Sequence, residues 1–425
     1  MSKYRKKAKI TSVGIFITAT ILLMLKSNRI LFVRAIPESL VYLFVLIGIL
    51  VYLRSTAHNL RYTSIFKYIS CCWLAIIWGY DQVIVGHFDI IGILLTLITI
   101  ICASIIVLSN NQLKKNLLRA FTITIQIIVG IGLCGWILFL LGIPLPHYTN
   151  DSDPYYLHTI YYLFNLNGRP ETQLIPRFAG PFLEPGHCGS MCIFLLYIEK
   201  FNLKKWGNRI LLLGVLFSLS LAAYGLMVGA ILLTFYNRKE YLRITVIFGV
   251  FISIGILAMM YNAGDNPINT AIVSRLEFDE DGNMVGNNRT SGAFDNAYQK
   301  FLLTDEIWFG RGIEAFGTKA DGSDNITIGC ATYKRYFFLR GIVGAFLIVG
   351  FLLYYFYQYR SRYTFGFLII YIVANCIRDY PTMPMWMFLF LTCIPLMASS
   401  KNYHKKSKHH TITTVITLPN TLTPA

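Results

Sequence analysis

Charge is what this chain has little of. Only 14% of its 425 residues are charged, against roughly 25% in a soluble domain. That shortage excludes an ordinary solvated globule. The chain is 55% hydrophobic, and its apolar residues fall in continuous blocks about 16 to 25 long rather than in amphipathic stripes. Zinc patterns are missing as well. The nine cysteines include no CxxC pair and no His/Cys cluster, and Cys71, Cys72, Cys102, Cys134 and Cys376 sit inside apolar blocks as small hydrophobes. No small-residue cleavage site follows the first apolar block, where KSNR comes after Leu25, so the basic start reads as an uncleaved anchor. No internal repeat of the kind found in secondary transporters is visible.

What remains is a series of apolar spans. A bilayer core of roughly 30 Å needs about 20 such residues per helix. The blocks predict crossings at 10–25, 37–53, 68–86, 88–108, 120–143, 180–198, 210–236, 244–260, 337–357, 364–379 and 384–399. As one helix, 210–236 would be about 40 Å long at 1.5 Å per residue. Lys200, Lys204, Lys205 and Arg209 precede it, and Arg238, Lys239 and Arg243 follow it. Both clusters belong on the cytoplasmic side, which requires an even number of crossings and a bend near SLSLAAYG, from Ser218. The expectation is an all-α polytopic membrane protein of about twelve transmembrane helices, with both termini cytoplasmic. The loop holding Lys26, Arg29 and Arg34 would face outward, against the bias.

The formal net charge of +17 fits this topology better than nucleic-acid binding. It is concentrated in short connectors and at the two ends, KYRKKAK from Lys3 and KNYHKKSKHH from Lys401. Such segments lie against anionic lipid. The organisation is then a five-span bundle (1–143), a first outer loop (144–179), central spans (180–260), a second outer loop (261–336), C-terminal spans (337–400) and a basic cytoplasmic tail (401–425).

Chemistry concentrates on the outer side. RFAGPFLEPGHCG, residues 177 to 189, enters a span with two prolines and three glycines among Arg177, Glu184 and His187. Such a backbone suits a regular helix poorly and is tolerated at membrane depth where protein buries it or water reaches it. Arg177 offers a rigid fork for phosphate oxygens. Glu184 is a candidate base, or a salt-bridge partner for Arg177 with His187 as a cap. In the second loop, Arg289 opens an amphipathic stretch with Phe294, Tyr298 and Phe301 at helical spacing. Arg311 lies in a GRG turn that lacks the strand and helix of a nucleotide loop, and composition alone favours reading both arginines as surface residues. Lys334 and Arg335 sit at an outer span boundary, either snorkelling or facing an anionic ligand. Arg340 lies about a turn farther in. Asp81 is flanked by apolar residues, with Tyr80 or Gln82 as a partner, and Arg378 could pair with Asp379.

Arg177, Gly180, Phe182, Glu184 and Pro185 are followed in order by a serine-containing hairpin (FSLSLAAYG), by Asn288–Arg289, by Phe309, Gly310 and Gly312, and by Gly341, Ile342 and Gly344. This order resembles the bacterial O-antigen and capsular polysaccharide polymerase (Wzy) family, a relative of the O-antigen ligases, over roughly residues 175 to 345. Leu221 follows Ser220 where many members have Ser-Arg. No histidine lies between His187 and His404, where ligases typically place one, which favours the polymerase over the ligase.

The resemblance implies a GT-C-like glycosyltransferase of the inner membrane. Its substrates would be undecaprenyl-diphosphate-linked oligosaccharides, with a flippase and a chain-length regulator as partners. Arg177 and Arg289 would stabilise the diphosphate leaving group, with Glu184, or else His187, serving the acceptor hydroxyl. Gly180, Arg311, Lys334 and Arg335 would contribute to substrate binding. No carboxylate cluster suggests a divalent ion, so neither metal nor cofactor is expected.

Overall fold

Leucine, isoleucine and phenylalanine fill the apolar blocks, and in lipid a helix satisfies every backbone donor and acceptor within its own segment. The computed structural model, which describes residues 2–56, 64–85, 89–150, 158–167, 176–261, 292–312, 332–378 and 381–413, is accordingly mostly helical. In chain order the helices are α1 (Ser2–Ser27), α2 (Leu31–Arg34), α3 (Glu38–Thr56), α4 (Ile65–Tyr80), α5 (Ile90–Leu108) and α6 (Asn111–Leu140). After a segment of short strands come α7 (Pro185–Ile198), α8 (Trp206–Phe217), α9 (Leu221–Arg238), α10 (Tyr241–Met260), α11 (Gly292–Leu302), α12 (Thr332–Gln358), α13 (Arg362–Ile377) and α14 (Pro384–Thr413). Among the described residues, six helices are long and apolar enough to cross a membrane, and four shorter apolar helices accompany them.

The apolar surface fits that environment. Ile90, Leu94, Leu97 and Ile101 form an exposed stripe along α5, and Leu242, Val246, Val250 and Leu257 form another along α10. Such stripes at helical spacing face lipid rather than water. The core centres on α14, whose residues Met385 to Leu391, Cys393 and Ile394 are at most 1% exposed. Around it pack α1, α5, α6 and α13.

The block 210–236 divides as its charges required. The break falls at Ser218–Ser220, where Leu219 takes a left-handed φ of 45°. Ser220 caps α9 by accepting from the Ala223 amide. Away from the break, the end of α9 returns to the turn that precedes α8: Arg238 Nη2 donates to the Lys200 carbonyl at 2.5 Å.

One element departs from the all-α expectation. The segment between α6 and α7 carries a three-stranded antiparallel sheet, β1 (His147–Asn150), β2 (His158–Tyr161) and β3 (Phe164–Asn167), in that order. Strands of four residues are too short for alternation to register in a sequence. Tyr162 and Leu163 make the turn between β2 and β3, so Tyr161 lies opposite Phe164 and stacks on it at 4.7 Å. These rings pack on Phe139 of α6, which fixes the sheet to the bundle.

Candidate functional site

The segment Pro176–Glu184 has no helix to satisfy its backbone, so its neighbours do so. Trp136 Nε1 donates to the Pro176 carbonyl at 3.2 Å, and the Phe178 amide donates to Phe217 O at 3.0 Å. Asn165 of β3, fully buried, contributes three bonds: its amide to Gly180 O at 2.8 Å, and its side chain to Leu183 O at 2.9 Å and Phe182 O at 3.4 Å. The Leu31 amide donates to Pro181 O at 3.0 Å, bringing the α1–α2 turn with Lys26, Arg29 and Arg34 to this end of the bundle. Gly180 takes φ 56°, and a Cβ added there would stand 3.1 Å from the Phe178 ring and 3.3 Å from Cys188 Sγ. Irregular backbone is thus held inside protein, with its polar groups partnered by neighbouring elements.

Charges gather where this segment becomes α7. Glu184 is the N-cap residue of α7, and its carboxylate forms an ion pair with Arg378 at the end of α13. The expected partner of Arg378, Asp379, lies outside the described residues. Arg177 Nε donates to Ser218 O, at the tip of the α8–α9 hairpin, at 3.4 Å. The His187 amide bonds back to Glu184 O at 3.1 Å, placing the imidazole in the first turn of α7.

A second ion pair joins α12 to the end of α4. Arg340 of α12 meets Asp81 through two bonds, Nε to Oδ1 at 2.6 Å and Nη2 to Oδ2 at 3.0 Å. Asp81 begins a π-helical turn, Asp81–Val85, that ends α4; such turns aim side chains off the regular helical grid. The same Nη2 reaches Thr382 Oγ1 at 3.3 Å, while Trp78 Nε1 donates to Thr382 O at 2.9 Å. The Met385 amide donates to Ser27 Oγ at 3.1 Å. The connection between α13 and α14 therefore ties α1, α4, α7 and α12 together at this end.

Helix α11 rests on α12. Phe294, Phe301 and Phe338 form a small buried cluster with Tyr298 against it, so the helical spacing noted in the sequence is realised in α11. Lys334 pairs with Asp295 at 2.6 Å and lies 5.7 Å over the Tyr298 ring. Burial pushes the Tyr298 phenol up, and Lys334 opposes the shift. Arg311 pairs with Glu306 at 2.5 Å and stacks on Phe338. Arg335 is half-buried in the first turn of α12. Arg289 lies outside the described residues. Among the described residues no three His, Cys, Asp or Glu side chains group closely enough to hold a metal ion.

Arg177, Glu184, His187 and Gly180 are therefore gathered on one segment, while Lys334 and Arg311 are engaged by Asp295 and Glu306. Sequence reasoning missed Asn165, the Glu184–Arg378 pair and the Asp81–Arg340 pair. The available signal for the last was one acid and one base, each in apolar surroundings, in different spans. No family model, curated protein or solved structure matches this chain.

Proposed function

We propose that this chain is a polysaccharide polymerase of the bacterial inner membrane, with about twelve spans, a GT-C-like architecture and both termini cytoplasmic. It would transfer a glycan from undecaprenyl diphosphate to a lipid-linked repeat unit at the outer face. The observation that carries this reading is that one irregular segment running into α7 carries Arg177, Glu184 and His187, with Arg177 bonded to Ser218 O and Glu184 paired to Arg378 of α13. In the reaction, the acceptor hydroxyl oxygen bonds to the donor's anomeric carbon as that carbon's bond to the diphosphate oxygen breaks. Undecaprenyl diphosphate leaves with the bonding electrons, and the hydroxyl proton goes to a base.

Negative charge on the diphosphate grows along this path. Guanidinium groups fixed in a poorly hydrated site stabilise it more in the transition state than before. Arg177 is proposed for that role together with Arg289, with Lys334, Arg335 and Arg311 as outer contributors. Glu184 would take the proton or, through Arg378, hold the site's geometry; His187 is the second choice of base.

Reconstitution of the purified chain with a defined lipid-linked repeat tests the proposal. Wild type should build long chains, and Arg177→Ala should lose them at unchanged protein level. Glu184→Gln should lower turnover more than donor binding. Full-length polymer from Arg177→Ala would remove the diphosphate role. In cells, loss of the protein should leave single repeat units on the outer lipid; no unit attached at all would point to a ligase or a flippase instead.

A further inference from the structure

At the other end of α7, 14 residues from the entrance segment and so about 20 Å away, the turn into α8 borders an open-sided cavity of about 590 Å³ that Arg238, at the end of α9, also lines. We propose that this cavity binds the phosphate headgroup of an anionic phospholipid. Its lining includes four cations, Lys200, Lys204, Arg209 and Arg238, and one carboxylate, Glu199. That carboxylate is engaged by Lys205, so the local field is strongly positive.

The turn is built in advance of any ligand. Lys200 and Phe201 hold left-handed φ values of 55° and 51°, a conformation that costs free energy for residues with a Cβ. It is held by the Phe201 amide on Leu196 O at 2.7 Å and by fully buried Asn208, whose side chain donates to Asn202 O at 2.9 Å. Gln126 of α6 in turn donates to Asn208 Oδ1 at 3.2 Å. The carbonyls of Lys200, Asn202 and Leu203, which would repel an anion, accept bonds from Arg238, Asn208 and Arg209 respectively.

A lipid fits better than a free anion because the rim is amphipathic. Trp206, 71% exposed, and Leu203, 39% exposed, flank the cations, and indole at a cationic helix end marks the headgroup level of a bilayer. Basic pockets between membrane helices take anionic headgroups by this combination. The assignment requires only that the chain is membrane-embedded; it does not depend on the transferase reading.

Binding of the purified full chain to vesicles of phosphatidylglycerol and of phosphatidylcholine decides the matter, with inorganic phosphate as a separate arm. Wild type should prefer phosphatidylglycerol, and Lys200→Gln/Lys204→Gln should weaken that binding roughly 30-fold. Lys200→Arg/Lys204→Arg should retain it, which separates charge from any loss of fold. Lys239→Gln/Arg243→Gln removes equal charge beyond the cavity lining and should change binding by no more than about threefold. Equal weakening in both glutamine variants would mean a diffuse surface field and overturn the site. Competition by inorganic phosphate at equal concentration would overturn the lipid as its occupant.

Discussion

The two ends of the bundle hold their charges in different ways. At the entrance end, Arg340 meets Asp81, Arg378 meets Glu184 and Lys334 meets Asp295. At the α7–α8 turn, four cations line a cavity with one carboxylate among them. Buried charge must be matched inside the protein, because desolvation is costly. Charge left unmatched at a membrane surface instead attracts something from outside. The entrance end therefore uses its ion pairs to fix backbone geometry, whereas the opposite end presents a field.

The pair that should matter most is Asp81–Arg340, whose side chains are 18% and 7% exposed. Asp81→Ala leaves a buried guanidinium beside Thr382 and should cost about 3–5 kcal/mol, read as a lowered thermal midpoint in detergent. The double variant Asp81→Asn/Arg340→Gln buries no charge and should recover part of the loss. A cost below about 1 kcal/mol for Asp81→Ala would mean that water already solvates the pair, and the contrast between the two ends would fail.

Next in size is Gly341→Ala. Gly341 kinks α12 at φ 60°, and an added Cβ would stand 2.5 Å from Trp308 O. The strain alone should cost about 1–3 kcal/mol. The segment it meets is bonded across to α12: the Arg311 amide to Phe338 O at 2.8 Å, the Gly312 amide to Leu339 O at 3.1 Å, and the Val343 amide to Trp308 O at 3.0 Å. The same unfolding measurement, together with a loss of protection of the Arg311 amide in hydrogen exchange, checks it.

This joint shows what the sequence could and could not reveal. Phe309-Gly310-x-Gly312 and Gly341-Ile342-x-Gly344 stand out as separate glycine patterns, yet nothing local says that one docks on the other. Periodicity and charge did reveal the apolar helices, the break at Ser218–Ser220 and the apolar face of α11, because each is a property of neighbouring residues. The short sheet escaped because four-residue strands carry almost no pattern. The partner of Glu184 escaped for a different reason. Arg177 was near in sequence, but α13 returns Arg378 to the start of α7 from 194 positions away, and such a return is a property of topology alone.

Smaller effects complete the series. Glu184 and Arg378 are 24% and 19% exposed, so Arg378→Gln should cost about 1.5–3 kcal/mol as a charged hydrogen bond is lost. At the far end of the scale is Arg243–Glu240, an i,i+3 pair beside the α9–α10 turn with Arg243 65% exposed. Arg243→Ala should cost about 0.2–1 kcal/mol and less still at high salt, since water and ions screen it. The same type of contact is thus predicted to vary several-fold in strength with burial alone. If Arg243→Ala proved as costly as Asp81→Ala, desolvation would not be what separates the paired charges of one end from the field of the other.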